Sequence, residues 1–201
     1  MQFIDLKKQQ SKISDKIKNR IDAVLSHGVY IMGPEVYQLE KKLAEYIGTS
    51  HCISCASGTD ALLIPLMAKG IGRGDAVITS PFTYIATAEV IALIGAKPVF
   101  VDIYPNTYNI DPSKLEIAIE KARKENFIPK AVIPVDLFGL PARHRLISKI
   151  AEENDLFFLD DFAQGFGGQI RGKKVGVFGD VSATSFFPAK PLGCYGDGGA
   201  I

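Results

Sequence analysis

Apolar residues recur along this chain at two different periods. Ile13, Ile17, Ile21, Val24 and Leu25 fall three and four apart, the spacing of one helix face, and Gly28 stands where a left-handed C-cap is favoured. A second amphipathic segment opens at GPEV, with Pro34 in its first turn, a stripe of Val36, Leu39, Leu43 and Ile47, and Gly48 after it. From there short apolar runs alternate with helical patterns. Runs at Cys52–Cys55, Ala76–Ile78, Pro98–Val101, Ala131–Val135, Leu156–Leu159 and Val181–Ser185 predict strands. Helices are predicted at Asp60–Ala68, Thr83–Ile94, Pro112–Lys124 and Pro141–Glu153. The strand runs (VIT, PVFV, AVIPV, LFFL) are apolar almost throughout, as burial on both faces demands. The βαβα order therefore predicts an α/β fold: a mostly parallel sheet with helices on both faces. Pro65 lies inside one helical run and predicts a kink in its first turns or a shifted boundary. No repeat, low-complexity tract or Ser/Gly-rich linker interrupts the pattern. A single α/β domain is expected, a helical segment over 1–48 leading into a core over 49–201.

The 201 residues are 47% hydrophobic and 22% charged, enough apolar material for a substantial core. With 23 basic against 22 acidic residues, net +1, no field of one sign draws in nucleic acid or an anionic membrane. Three cysteines are too few for a secreted disulfide framework. The longest apolar run, IATAEVIALIGA, is broken by Glu89 and falls short of the roughly 18 residues a bilayer span needs. MQFIDLKKQQ lacks the apolar centre of a signal peptide. The expectation is a soluble cytoplasmic enzyme or binding domain.

In such sheets ligands bind beyond the carboxyl ends of the strands, and three strand ends carry chemistry here. ASGTDAL is a small-residue turn opening a helix, where free amides and the hydroxyls of Ser57 and Thr59 suit an anion; an ordinary N-cap reads the same way. It is neither a P-loop nor a Rossmann fingerprint. In FLDDFAQGFGG two carboxylates end an apolar strand. Burial there requires a cationic partner, and the alternative is a turn Asp open to solvent. In TSFFPAKPLGCYGDGGAI, Lys190 sits among Phe186, Phe187, Pro188, Pro191 and Leu192, where desolvation lowers an amine's pKa and suits it to Schiff-base chemistry. One ligand with a phosphate, a protonated ring nitrogen and an aldehyde satisfies all three ends. Pyridoxal phosphate fits that description.

In this order GPEVYQLE, ASGTDAL, PFTYIATAEVI, GAKPVFVDI, DDFAQGFGG and SFFPAKPLGCYGDGG resemble the DegT/DnrJ/EryC1/StrS family of sugar aminotransferases over essentially the whole chain. The SFFPAK…GDGG segment is the most specific part. The resemblance implies the pyridoxal-phosphate-dependent transferase fold of the aspartate aminotransferase type (fold type I). It makes Lys190 the residue that binds the cofactor aldehyde and shuttles the proton, and Asp161 the carboxylate facing the pyridine nitrogen. Gln164 falls near the ring's phenolic oxygen and Tyr84 stacks on the ring. Gly58, Thr59 and the backbone at Asp60, with Ser185, form the phosphate cradle. Family members continue into a C-terminal small domain absent from this sequence, so residues 1–201 correspond to the N-terminal, cofactor-binding large domain. The implied reaction moves an amino group from L-glutamate to a nucleotide-linked keto-sugar, UDP-linked by expectation, in surface polysaccharide or glycan synthesis, within a homodimer. A sugar dehydratase of the same fold, with His in place of the lysine, and a noncatalytic remnant are the alternatives.

Three positions depart from the family pattern: Phe162 replaces a small residue, Asp136 stands where many members carry His, and Asp197 replaces a frequent Glu. Other signals carry less. C-x-x-C at Cys52 and Cys55 lacks a second ligand pair for zinc and falls in a predicted strand, so core cysteines and no metal site are expected. His144, in ARHRL, is expected on the solvated face of a helix, as is KARKEN.

Overall fold

The computed structural model describes residues 4–201; Met1–Phe3, the start of the segment lacking a signal-peptide centre, lie outside the described residues. Helix α1 (Leu6–His27) begins where Asp5 accepts the Lys8 amide at 3.0 Å and ends at Gly28, whose φ of +68° lets its N–H turn back to the Val24 carbonyl. Its predicted apolar stripe is present but uncovered, and α1 buries none of its residues. Helix α2 (Pro34–Ile47) buries Leu43 against Phe186 and Ala200, and Ile47 against Phe162 and Val175.

The elements that follow are β1 (Ser54–Cys55), α3 (Gly58–Ala68), β2 (Asp75–Thr79), α4 (Ala86–Leu93), β3 (Lys97–Phe100), α5 (Leu115–Lys124), β4 (Ile128–Ile133), α6 (His144–Glu153) and β5 (Phe157–Asp161). A short hairpin, β6 (Gln169–Ile170) and β7 (Lys173–Lys174), precedes β8 (Val181–Ser185) and β9 (Gly199–Ala200). Seven strands form one sheet in the order β1-β9-β8-β5-β4-β2-β3. From β3 to β8 every pairing is parallel, and β9 lies antiparallel between β8 and β1. The mostly parallel sheet is as expected.

Strand alternation splits the core in two. Val77, Ala131, Ile133, Leu159 and Ala183 face α3 and α4, joining Leu62, Leu66, Val90 and Ile91. Ala76, Ile78, Val132 and Phe158 face α5 and α6, joining Leu115, Ile119, Ile147 and Ala151. The boundaries differ from the sequence reading for local reasons. The strand expected through Val135 ends at Ile133, because Pro134 has no N–H to extend the ladder, although Val135 still bridges Asp161. The strand expected at Cys52–Cys55 is only Ser54–Cys55, so Cys52 precedes it. Helix α4 starts at Ala86 rather than Thr83, and α6 at His144 rather than Pro141. Pro65 shifts no boundary: α3 begins two residues before the expected Asp60 and passes through Pro65 to Ala68, the Pro65 carbonyl accepting the Lys69 amide at 3.0 Å.

Two isoleucines on α5 isolate what burial is worth. Ile119 is 1% exposed and Ile117 is 68% exposed. Ile119→Ala is expected to cost about 2–5 kcal/mol, and Ile117→Ala within about 0.5 kcal/mol of zero, beyond the shared change in helix propensity. Urea-unfolding midpoints of the two variants check the contrast.

Candidate active site

Parallel pairing of β5 with β8 brings the ends of these strands side by side, and α3 and α4 point their N-terminal ends to the same rim. Asp161 is the last residue of β5 and turns toward the α3–α4 face, as Phe157 and Leu159 do. It is buried, and two donors hold its carboxylate. Thr87 Oγ1, on α4, donates to Oδ2 at 2.9 Å, and the Ala163 amide donates to Oδ1 at 3.2 Å. Burial pushes this carboxyl above its ordinary value, against the pull of Thr87, Ala163 and the Lys190 ammonium. The turn after β8 carries Lys190, half-buried, its amide donating to the Phe187 carbonyl at 2.8 Å. Burial lowers the Lys190 amine, and the Asp161 charge partly opposes that. The two groups sequence reasoning required in one site are therefore within electrostatic reach of each other.

The third strand end supplies an anion cradle. Ser57 caps α3, its Oγ accepting the Asp60 amide at 3.0 Å while its carbonyl accepts the Ala61 amide at 3.0 Å. Ser57 also donates to the Asp60 carboxylate at 3.0 Å. The Asp60 amide is thus already engaged, and among the described residues those of Gly58 and Thr59 are the ones left for an outside acceptor. Gly58 allows α3 to press on β8: a Cβ there would lie 2.5 Å from the Ser185 Cβ. A Cβ on Gly199 would collide with the Ser57 carbonyl and lie 2.8 Å from the Gly58 amide nitrogen. Two glycines thus let the first turn of α3 sit close against the Ser185 end of β8 and against β9, with the Gly58 and Thr59 amides as free donors beside the Ser185 hydroxyl. A phosphate suits these donors.

The remaining predicted positions lie around these three. Gln164 is half-buried on the turn just beyond Asp161. Tyr84 is 68% exposed in the turn before α4 and, among the described residues, stacks on no aromatic ring. Phe162 turns away from Asp161 and packs with Ile47 and Val175, stacked on Phe166 at 6.1 Å. Cys52 and Cys55 are free and half-buried rather than deep in the core, and burial, with Glu40 and Cys55 nearby, pushes the Cys52 thiol up to about 11. Such thiols are poor nucleophiles at neutral pH.

One expectation fails outright. His144 is not on a solvated face; it is 1% exposed, its Nε2 2.8 Å from Asp136 Oδ1. The reason lies in the period of α6: His144, Ile147 and Ala151 are three and four apart and form the buried stripe. Two flanking arginines outweighed that signal in the sequence. Thr87 was missed too, although it is a hydroxyl on an otherwise apolar helix face, four residues after Thr83, whose Oγ1 lies 3.1 Å from its own. Asp136, left without a role by its sequence, is fully buried beside His144.

Comparison with known proteins bears on this arrangement. Residues 11–201 match the DegT/DnrJ/EryC1/StrS aminotransferase family. The UDP-2-acetamido-2-deoxy-3-oxo-D-glucuronate aminotransferase of Pseudomonas aeruginosa is 55% identical over 201 residues, covering 100% of this chain and 54% of that protein. A crystal structure of a DegT DnrJ EryC1 StrS aminotransferase from Brucella abortus superimposes with a TM-score of 0.98 at 55% identity, over 100% of this chain and 54% of that one. NtdA from Bacillus subtilis, with bound cofactor PMP, superimposes with a TM-score of 0.90 at 33% identity, over 100% of this chain and 44% of that one. The chain thus spans about half the length of the relatives it matches. On sequence and fold together, it belongs to the DegT/DnrJ/EryC1/StrS aminotransferase family.

Proposed function

We propose that this chain is the cofactor-holding part of a pyridoxal-phosphate-dependent aminotransferase that moves an amino group from L-glutamate to a nucleotide-linked keto-sugar. The observation that carries the reading is that Asp161, Lys190 and the capped first turn of α3, pressed on Ser185 through Gly58, lie at one rim of the sheet, where β5 and β8 end side by side. A UDP-linked substrate is the inference from the named substrate of the Pseudomonas relative. No described helix is long and apolar enough to cross a membrane, which accords with a cytoplasmic biosynthetic enzyme. The uncovered apolar stripe of α1 accords with a homodimer, since Ile13, Ile21 and Leu25 are exposed in the isolated chain.

Bound here, the cofactor supplies an aldehyde for an amine to capture and a ring that takes up the electron pair of a broken C–H bond. The chain's residues do the rest. Lys190, with its amine lowered by burial, presents more of the unprotonated form as nucleophile, and once displaced by the amino donor it can accept and return a proton. Asp161, held by Thr87 and Ala163, offers a buried carboxylate to a ring N–H; that cation compensates the burial which otherwise works against the anion. The amides of Gly58 and Thr59, the Thr59 hydroxyl and Ser185 would hold the phosphate. Gln164 would lie near the ring's phenolic oxygen, and Tyr84 would stack on the ring.

Four outcomes test this in the full-length protein. Wild-type protein with pyridoxal phosphate is expected to turn yellow, to be fixed by borohydride, and to release 2-oxoglutarate from glutamate in the presence of a UDP-linked 3-keto-sugar. Lys190→Ala is expected to lose the borohydride-fixed adduct and multiple turnover together; normal turnover in that variant would refute the assignment. Colour without amino transfer points to the dehydratase alternative, and no colour to a noncatalytic remnant. Asp161→Asn is expected to slow turnover about 10²–10³-fold, read as kcat with the adduct retained. Thr87→Val, which removes a hydrogen bond to a charged group, is expected to weaken cofactor retention about tenfold or more, read by equilibrium dialysis.

A further inference from the structure

Directly behind Asp161, on the other face of β5, three ionisable side chains meet out of solvent. Asp160 is one residue earlier, so alternation turns its carboxylate toward α6. There the His144 ring lies between Phe178 (centroids 5.0 Å apart, 8° between planes) and Phe158 (5.9 Å, 21°). Its Nε2 is 2.8 Å from Asp136 Oδ1, and its Nδ1 is 3.9 Å from Asp160 Oδ1. Asp136 Oδ1 also accepts the Ala142 amide at 2.7 Å, so that oxygen serves as acceptor for two N–H groups. Asp136 Oδ2, His144 Nδ1 and both Asp160 oxygens are sealed from solvent without a hydrogen-bond partner. Four orphaned atoms in one place require an account.

The three residues could converge on a metal ion, since one ligand atom from each lies within 4.8 Å of the others. The ring argues against it. Its two nitrogens face two different carboxylates, and Nε2 already spans a hydrogen bond to Asp136, whereas an ion would need convergent bonds of about 2.0–2.2 Å. An imidazolium fits better, because it carries an N–H on each side, one for Asp136 and one aimed at Asp160.

The cluster is also tied to the active site. Asp136 follows β4, and its amide donates to the Asp161 carbonyl at 2.9 Å while the Asp161 amide donates to the Pro134 carbonyl at 3.0 Å. The turn after Asp161 presses on the same residue: a Cβ on Gly165 would lie 2.7 Å from the Asp136 Cβ. We propose that His144 is a buried imidazolium clamped between Asp136 and Asp160, and that this triad positions Asp161. It does so by fixing the Asp161 main chain through Asp136, and by cancelling the negative charge that Asp136 would otherwise exert through the sheet. Only the role given to Asp161 rests on the aminotransferase reading.

The charges around the triad agree. Burial alone would lower the His144 imidazole, but the Asp136 hydrogen bond and the Asp160 and Asp136 charges hold it above its ordinary value. Burial, reinforced by Asp136, holds the Asp160 carboxyl well above the carboxylate range, with His144 opposing this and Asp161 adding to it, so Asp136 is the principal counter-ion of the ring and Asp160 adds little charge toward Asp161. Phe158, Phe178 and Gly176, the other neighbours, bring no charge. With His144 raised, its contribution to stability is full below the unfolded imidazole value of about 6.5 and is lost as pH rises through the folded value.

Selective ¹⁵N-histidine labelling of the full-length protein, without cofactor, tests the clamp, with the His144 signal assigned by its loss in His144→Gln. Both ring nitrogens are expected to stay protonated at a pH above the ordinary histidine value, where an unperturbed imidazole has lost its proton. A neutral ring with one protonated nitrogen overturns the proposal. Asp136→Asn is expected to return the ring to the neutral form; if that variant does not fold, the wild-type spectrum still decides. Positioning is read in the cofactor-loaded protein from the pH midpoint of the visible band. His144→Gln, which leaves Asp136 uncompensated, is expected to move the midpoint upward by up to about one unit, and Asp160→Asn to leave it in place. An unmoved midpoint in His144→Gln refutes the positioning role. If the wild type shows no visible band, the aminotransferase reading fails while the histidine spectrum still judges the clamp.

Discussion

A β-strand sends consecutive side chains to opposite faces, and β5 ends in two consecutive aspartates. Neither can be left as a bare anion, because both faces of the sheet are covered by helices. The strand therefore imposes two separate problems of charge compensation less than 4 Å apart along the backbone. On the α3–α4 face Asp161 has Thr87 and Ala163 as donors and Lys190 across the rim. On the α6 face the solution is a closed one, built from His144 and Asp136 and sealed by phenyl rings. The two aspartates differ because one lies toward the half-buried Lys190 and its neighbour toward a buried imidazole.

The close approach of α3 to β8 and β9 depends on missing side chains as much as on present ones. Gly58 lets the first turn of α3 touch Ser185, and Gly199 lets β9 pass beneath the Ser57 carbonyl. Any other residue at either place would push the helix end away from the strand end, and the free amides would no longer converge. The same economy marks Gly165, which brings the turn after Asp161 onto Asp136.

Much of this was legible in the sequence because it is written in local patterns. Periods of three and four gave the helices, continuous apolar runs gave the parallel strands, and glycines at 28 and 48 marked helix ends that the structure places at φ +68° and +93°. The placing of Asp161 at the end of β5 and of Lys190 in the turn after β8 was legible for the same reason, since both stand next to signals that end an element. What escaped was the partner across space. Thr87 matters because α4 lies over β5, and His144 because α6 lies over the opposite face; helix period marks both as inward-facing, but nothing in the flanking residues names the carboxylate each one meets. His144 was misread for a further reason: Arg143 and Arg145 dominate its surroundings in sequence and are both exposed, while the ring between them points inward.

The position of β9 has a consequence for how the sheet is completed. Ser54 pairs with Ala200 and Cys55 with Gly199, so the loop that opens α3 is anchored by residues almost 150 positions later. Most of the parallel sheet can assemble from neighbouring βα units, each close in sequence to the next. The β1–β9 corner cannot: it is joined by the longest-range pairing in the sheet. A ribosome-bound chain that has not yet released its glycine-rich turn has helix α3 but not the strand that closes on its first turn, so this corner of the sheet is completed late in biogenesis.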